Sequence, residues 1–453
     1  MTQPLTLDDK YTARDGRIYV SGSQALVRLP LMQRARDVAA GLNTAGFISG
    51  YRGSPLGIYD LALWQAQKHL EDHHIVFQPG VNEDLAATAV WGTQQLGLVG
   101  DSRYDGVFAM WYGKGPGVDR SGDPLKHGSY AGTSRHGGVL VLCGDDHAAR
   151  SSTVAHQSEH ALIHFGMPVF NPAHVQDYLD LGIFGFALSR YSGAWIGFKC
   201  VTDTVESSAS VLVDPARIAI RTPDDFAMPA GGLSIQPGTW PIAAEARQYE
   251  QRLVAAQAFA RANGIDHRIA GKATGNRLGI VTTGKATLDV IEALRQIGIH
   301  DRLEPLGIAV YKVGMSWPLE PQGLRAFAEG CDELLVVEEK RPVIEEQLAH
   351  ILYNLPADRR PRLVGKTDET GAPLLAQVGE LAPDTVTRAI RRRLLKFDVD
   401  AETRRMLSGI EAAVPQAQVS AAAGGLVRMP SFCAGCPHNT STRVPEGSIA
   451  VGG

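Results

Sequence analysis

The chain predicts an α/β fold built on a doubly wound parallel sheet, followed by a smaller α/β domain. Three observations carry this. Strand-like and helix-like runs alternate from about Gly16 to Ser210. Gly138-Val-Leu-Val-Leu-Cys and Ala194-Trp-Ile-Gly-Phe-Lys-Cys-Val are nearly continuous apolar runs, as expected of strands covered on both faces. Several strand-like runs end in turn chemistry that opens a helix, and open α/β sheets hold ligands at the carboxyl ends of their strands.

Taken in order, the first domain spans 1–210. Gln24 to Leu42 reads as helix starting properly near Pro30, since proline suits a first helical turn. Gly46-Phe-Ile-Ser is a short strand, Arg52-Gly-Ser-Pro-Leu-Gly a turn, and Ile58 to Leu70 an amphipathic helix. Ile75-Val-Phe-Gln then leads through Pro79-Gly80 to Asn82, a good N-cap. Glu83 falls in the first turn, where a carboxylate complements the helix dipole; from spacing alone, plain capping is the simpler use of it.

Two later strand ends are rich in polar and small residues. Tyr112-Gly-Lys-Gly-Pro-Gly-Val-Asp-Arg-Ser-Gly-Asp holds four glycines in twelve residues, and one reading of it is a phosphate cradle with Lys114 and Arg120. It lacks the Walker spacing and is not a P-loop. Gly144-Asp-Asp-His places Asp145 and Asp146 just past a buried strand, and Ser151 and Ser152 suit a helix cap. His156-Gln-Ser-Glu-His160 matches a short zinc-site string but has no evident third ligand downstream, which disfavours zinc. Cys143 and Cys200 lie inside apolar strands and read as core thiols.

A Pro- and Gly-rich stretch with a helix at Ala243 to Asn263 forms a linker over 211–275. The second α/β domain covers 276–375, with strands at Leu278-Gly-Ile-Val-Thr-Thr, Leu306-Gly-Ile-Ala-Val-Tyr and Glu333-Leu-Leu-Val-Val. Its Glu338-Glu-Lys-Arg cluster reads as a solvated loop, with an interface as the alternative. A helical linker, 376–427, follows, and 428–453 is read as the start of a further, incomplete domain. That last stretch contains Phe432-Cys-Ala-Gly-Cys-Pro-His, a Cys-x-x-Cys pair open to redox, zinc or iron–sulfur use. Either metal use needs about four ligands, and only Cys433 and Cys436 are close, with His438 nearby. The chain is therefore read as truncated.

Composition bounds the function. With 44 basic against 48 acidic residues the net charge is −4, and no basic tract recommends a nucleic acid or an anionic membrane. No run approaches the ~20 apolar residues that span a bilayer, and the first residues lack a signal-peptide core. Five cysteines form no extracellular disulfide framework. The expected location is the cytoplasm.

Tyr51-Arg-Gly-Ser-Pro, Val81-Asn-Glu-Asp-Leu-Ala, Met110-Trp-Tyr-Gly-Lys-Gly-Pro-Gly-Val-Asp-Arg, Gly144-Asp-Asp-His and the Cys-x-x-Cys-Pro-His string, in this order, resemble the indolepyruvate ferredoxin oxidoreductase family. These are thiamine-diphosphate-dependent 2-oxoacid oxidoreductases, and the resemblance covers essentially the whole chain. It implies that the first domain is of the pyrimidine-binding type, the second of the transketolase C-terminal type, and the last stretch the start of a pyrophosphate-binding domain.

The resemblance also implies site roles. Glu83 matches the glutamate that hydrogen-bonds the aminopyrimidine ring nitrogen, work suited to a partly desolvated carboxyl. Ser54 and Arg52 would lie near the 2-oxoacid, with Arg52 standing where the family commonly has proline. Gly53, Asn82, Lys114, Asp145 and Asp146 would line the cofactor, and Cys433 and Cys436 resemble ligands of a [4Fe–4S] cluster. The implied reaction is oxidative decarboxylation of an aryl 2-oxoacid to an acyl-CoA with ferredoxin as acceptor. The Gly-Asp-Gly…Asn loop that holds Mg²⁺ and diphosphate in related enzymes does not occur in this sequence. The chain alone is accordingly expected to be inactive, and to work as a homodimer or with a chain that completes the site. An iron-free thiamine diphosphate decarboxylase or carboligase, and a non-catalytic scaffold, are the competing readings.

Overall fold

The computed structural model describes residues 6–449 except 99, 101, 153, 239 and 414–431, with only the backbone of 410–413. It divides into two units, Met1–Leu407 and Ser408–Gly453.

Among the described residues of the first unit, fourteen strands run in chain order. They are β1 (Arg17–Ser21), β2 (Thr44–Gly50), β3 (Ile75–Phe77), β4 (Gly106–Lys114), β5 (Val139–Asp145), β6 (Val169–Phe170) and β7 (Ile196–Val201). There follow β8 (Ser208–Leu212), β9 (His267–Ala270), β10 (Asn276–Thr283), β11 (Ile308–Val313), β12 (Met315–Trp317), β13 (Cys331–Val337) and β14 (Arg362–Val364). The larger sheet has the order β12-β6-β7-β5-β4-β2-β3 and is parallel except for β12. β5 and β7 are buried along their whole length, which is why their sequences show no polar alternation. A five-stranded sheet, β14-β13-β10-β11-β9, is parallel except for its edge strand β9, and β1 and β8 form a separate antiparallel pair.

From β2 the chain first goes out to the edge strand β3, then crosses back to β4 on the other side of β2. The order reverses there, so the carboxyl ends of β2 and β4 flank the crevice where open α/β sheets bind ligands.

Some elements differ from expectation. The first long helix spans Gly22–Ala39, well before Pro30. Ser21 and Gln24 form a capping box, with Ser21 Oγ accepting from Gln24 N at 3.2 Å and Gln24 Oε1 from Ser21 N at 3.0 Å. An interior proline costs roughly 3 kcal/mol. Burial of most of this helix, Leu26, Leu29 and Leu31 among its residues, offsets that cost. β9, inside the stretch read as linker, has three of four residues exposed and offers no apolar run to read. β12 leaves its own sheet and adds to β6 of the larger one. The Glu338-Glu-Lys-Arg cluster is not solvated, since Glu338, Glu339 and Lys340 are buried.

Candidate active site

The site starts from backbone pairing. Tyr51 N donates to Tyr112 O at 3.1 Å and Gly80 N to Gly50 O at 2.8 Å, bringing the three strand-end loops together at the crevice. Asn82 caps the helix Glu83–Thr93, its Oδ1 accepting from Leu85 N at 2.9 Å. The amide oxygen of Asn82 is thereby occupied. The Trp111 indole on β4 donates to Glu83 O at 3.1 Å and ties the start of that helix to the sheet.

The half-buried Glu83 side chain lies over Gly117. A Cβ on Gly117 would stand 2.7 Å from Glu83 Cγ and 2.8 Å from Oε1. One use of the glycine-rich run is therefore to make room for this carboxylate. Gly53 does the same for Lys114, whose Cδ would meet a Gly53 Cβ at 2.8 Å. Arg52 is exposed, and Ser54 and Lys114 are half-buried. The side chains of Arg52, Ser54, Glu83 and Lys114 make no hydrogen bond or ion pair among the described residues. Arg120, by contrast, is engaged with Asp84 at 3.1 Å.

Asp145 and Asp146, unlike that group, are engaged by the fold. Asp145 is fully buried, accepts from Ser158 N at 2.9 Å, and lies 3.8 Å from Lys199 Nζ. Asp146 accepts from Arg150 N at 3.0 Å and Ser151 N at 2.8 Å. Burial opposes its ionisation, but those N–H groups outweigh it and hold the carboxyl below its ordinary value.

Sequence reasoning missed the ionic layer that these residues enter. Lys199, in the middle of β7, pairs with buried Glu159. Burial pushes each of the two toward its neutral form, yet their mutual attraction prevails: the carboxyl is held low and the ammonium high. His147 Nδ1 is 3.6 Å from Glu339 Oε2, and Lys285 Nζ is 3.2 Å from Glu339 Oε1 and 2.9 Å from Asp289. Lys340 Nζ donates to His147 O at 2.8 Å. The layer joins the carboxyl ends of the two sheets. Its one sequence signal was a lysine inside an otherwise apolar strand.

The His-x-x-Glu-His string serves other ends. His156 Nε2 meets Asp119 at 3.1 Å, while Glu159 turns to Lys199. Among the described residues no three His, Cys, Asp or Glu side chains converge as a metal site. In the second unit, Cys436 N donates to Cys433 O at 3.0 Å, and Cys436 Sγ is 3.2 Å from His438 Nδ1. No helix among the described residues is long and apolar enough to cross a membrane.

A 2-oxoglutarate:ferredoxin oxidoreductase from Magnetococcus marinus superposes on 83% of this chain and 65% of its own, with a TM-score of 0.57 at 16% identity. The two chains share a fold. Residues 267–418 match the family model of the indolepyruvate oxidoreductase domain. The IorA subunit of indolepyruvate oxidoreductase from Methanothermobacter thermautotrophicus is 24% identical over 439 residues, covering 96% of this chain and 61% of that protein. The corresponding subunit of Methanothermobacter marburgensis is 25% identical over 447 residues, with the same shares. Residues 267–418 thus match an indolepyruvate oxidoreductase domain, and the chain as a whole is similar to the IorA subunits of that family. It spans about 61% of the length of those relatives.

Proposed function

We propose that this chain supplies the pyrimidine-binding half of a thiamine diphosphate site in an indolepyruvate-type oxidoreductase. The complete enzyme would decarboxylate an aryl 2-oxoacid oxidatively to an acyl-CoA and pass the electrons to ferredoxin. The observation that carries this is the crevice between β2 and β4, where the unpaired Glu83 carboxylate that Gly117 makes room for shares the strand-end loops with the unpartnered side chains of Arg52, Ser54 and Lys114. A half-buried carboxylate without a cation beside it, at a topological switch point, is fitted to a ligand rather than to the fold.

Bound there, thiamine diphosphate would supply the electron sink that decarboxylation needs. Glu83 would hold a proton between its carboxyl and the aminopyrimidine ring nitrogen, general acid/base work worth about 10²–10⁴-fold. Arg52 would pair with the substrate carboxylate, Ser54 would offer its hydroxyl to the 2-oxoacid, and Lys114 would offset negative charge. Gly53 and Asn82 shape the crevice, the first by admitting Lys114 and the second by fixing the Glu83 helix. Asp145 and Asp146 belong in this reading to the buried layer. Mg²⁺ and the diphosphate are assigned to residues other than these, as no Gly-Asp-Gly…Asn loop occurs in the sequence. Cys433 and Cys436 would furnish two of the four thiolates of a [4Fe–4S] cluster. The chain is expected to act as a homodimer or with a chain completing the site, and to bind thiamine diphosphate weakly when alone.

The test is aryl-2-oxoacid- and CoA-dependent reduction of ferredoxin by protein isolated with its co-purifying chains, wild type against E83Q. We expect the variant to lose about 10²–10⁴ in rate. Wild-type protein without that activity, or an E83Q variant that keeps it, overturns the proposal.

A further inference from the structure

A cavity of about 1190 Å³ opens at the other end of the larger sheet. Its walls include Asp37 and Leu42, which precede β2, and Arg135 and His136, which precede β5. It therefore lies at the amino ends of parallel strands whose carboxyl ends carry the Glu83 crevice. Seven residues of strand at about 3.3 Å each put roughly 23 Å between the two. Nothing in the proposed chemistry uses this cavity.

The interior is apolar and partly aromatic. Ile183 and Leu233 are buried, and Tyr191 and Phe259 stand with ring centroids 5.7 Å apart at 37°. The polar groups divide sharply into satisfied and unsatisfied. Arg190 is fully used, donating to Asp37 at 2.6 and 2.8 Å and to Gly137 O at 2.8 Å. Asp37 also accepts from Gln33 and Thr44, and Asp214 accepts from Ala216 N at 2.9 Å, so both carboxylates at the cavity are engaged.

Two guanidiniums are left over. Arg36 Nη1 donates to Pro215 O and, at 2.9 Å, to Ile218 O, which fixes the group. Its Nε and Nη2 have no acceptor among the described residues, and it forms no ion pair. Burial pushes its pKa down, against the pull of Asp37. Arg135 is exposed and likewise unpaired. A fixed guanidinium lacking its anion, with a second beside the same apolar cavity, matches a planar carboxylate with an apolar body.

We infer that this cavity is a second binding site, for an aromatic carboxylate held by Arg36 and Arg135 with its ring against Tyr191 and Phe259. The inference is independent of the reading of the Glu83 crevice.

Calorimetric titration of the 453-residue chain with phenylacetate, neutral phenylacetamide and inorganic phosphate tests it. Phenylacetate is expected to bind at least about tenfold more tightly than either of the others, because only it meets both the cations and the apolar wall. R135Q should weaken phenylacetate by about fivefold or more, and A187F, which fills the cavity, by about tenfold or more. R52Q, at the opposite end of the sheet, should change nothing. Arg135 is exposed and makes no bond to the fold, so R135Q keeps the test decisive even if A187F fails to fold. No phenylacetate binding at millimolar concentration would overturn the inference. So would equal binding of phenylacetamide or phosphate, an affinity that R135Q leaves unchanged, or one that R52Q abolishes.

Discussion

Two neighbouring parts of one sheet treat charge in opposite ways. At the carboxyl ends of β5 and β7, Asp145, Lys199, Glu159 and Glu339 are buried and each has an ion-pair partner, while the buried His147 ring stands 3.6 Å from Glu339. At the carboxyl ends of β2 and β4, Arg52, Glu83 and Lys114 are exposed or half-buried and have none. A charge removed from water must be paired, or it shifts toward neutrality at a cost of several kcal/mol. The first group meets that demand and joins the two sheets. The second is left in contact with water and without ionic partners, and so remains available to a ligand. Composition does not separate the two regions, since both are Gly-, Asp- and Lys-bearing strand-end loops. Pairing does.

The comparison breaks first at Lys199. Replacing it with methionine leaves Glu159 and Asp145 buried beside an apolar side chain, a loss of about 3–5 kcal/mol in unfolding free energy by denaturant titration. A loss below about 1 kcal/mol would mean that the layer is not the joint between the sheets.

Next in size is G117A. The added methyl falls within 2.8 Å of the Glu83 carboxylate, in a backbone conformation that alanine adopts freely. Turnover of the complete enzyme should fall about 10–100-fold while stability changes by less than about 1 kcal/mol, as expected of a displaced catalytic group. Equal losses in both would assign Gly117 to packing.

Acid sharpens the contrast. Burial alone would raise the Glu339 carboxyl, but the His147 ring, the Lys285 ammonium and the Leu381 N–H outweigh it and hold it at about 2. The folded value lies below the unfolded one, about 4.3, so this group's stabilisation is complete above that pH and drains as pH falls toward 2. The stability gap between wild type and E339Q should therefore narrow steadily over that window. A gap that holds constant would show that Glu339 is not ionised in the fold.

The smallest effect is expected at Arg52. R52Q should raise KM for the 2-oxoacid about 5–50-fold through loss of one charge-assisted contact, with kcat changed little. A fall in kcat at constant KM would place Arg52 in the chemistry instead.

How legible these regions were follows from how local their causes are. Asn82 capping the Glu83 helix is a matter of four consecutive residues, and the sequence carried it. The crevice was legible because a strand end, a turn and a helix start leave a recognisable string at each of its walls. The buried layer was not. Glu338-Glu-Lys-Arg is written like a solvated loop, but Glu339 and Lys340 meet His147, which the other sheet brings to them, and Glu338 accepts from the N–H groups of Val343, Ile344 and Glu345. Pro30 misled for the same reason: tertiary burial of the helix outweighed a local preference. β12 is three residues long and pairs outside its own block, so no periodicity could announce it.

The most direct measurement is turnover of E83Q in the complete enzyme, made on protein whose unfolding midpoint is recorded in the same preparation. An unpaired carboxylate kept for chemistry predicts a rate lower by about 10²–10⁴-fold at an unchanged midpoint. A rate within about threefold of wild type, with or without a shifted midpoint, would contradict it and leave Glu83 as a helix-capping acid.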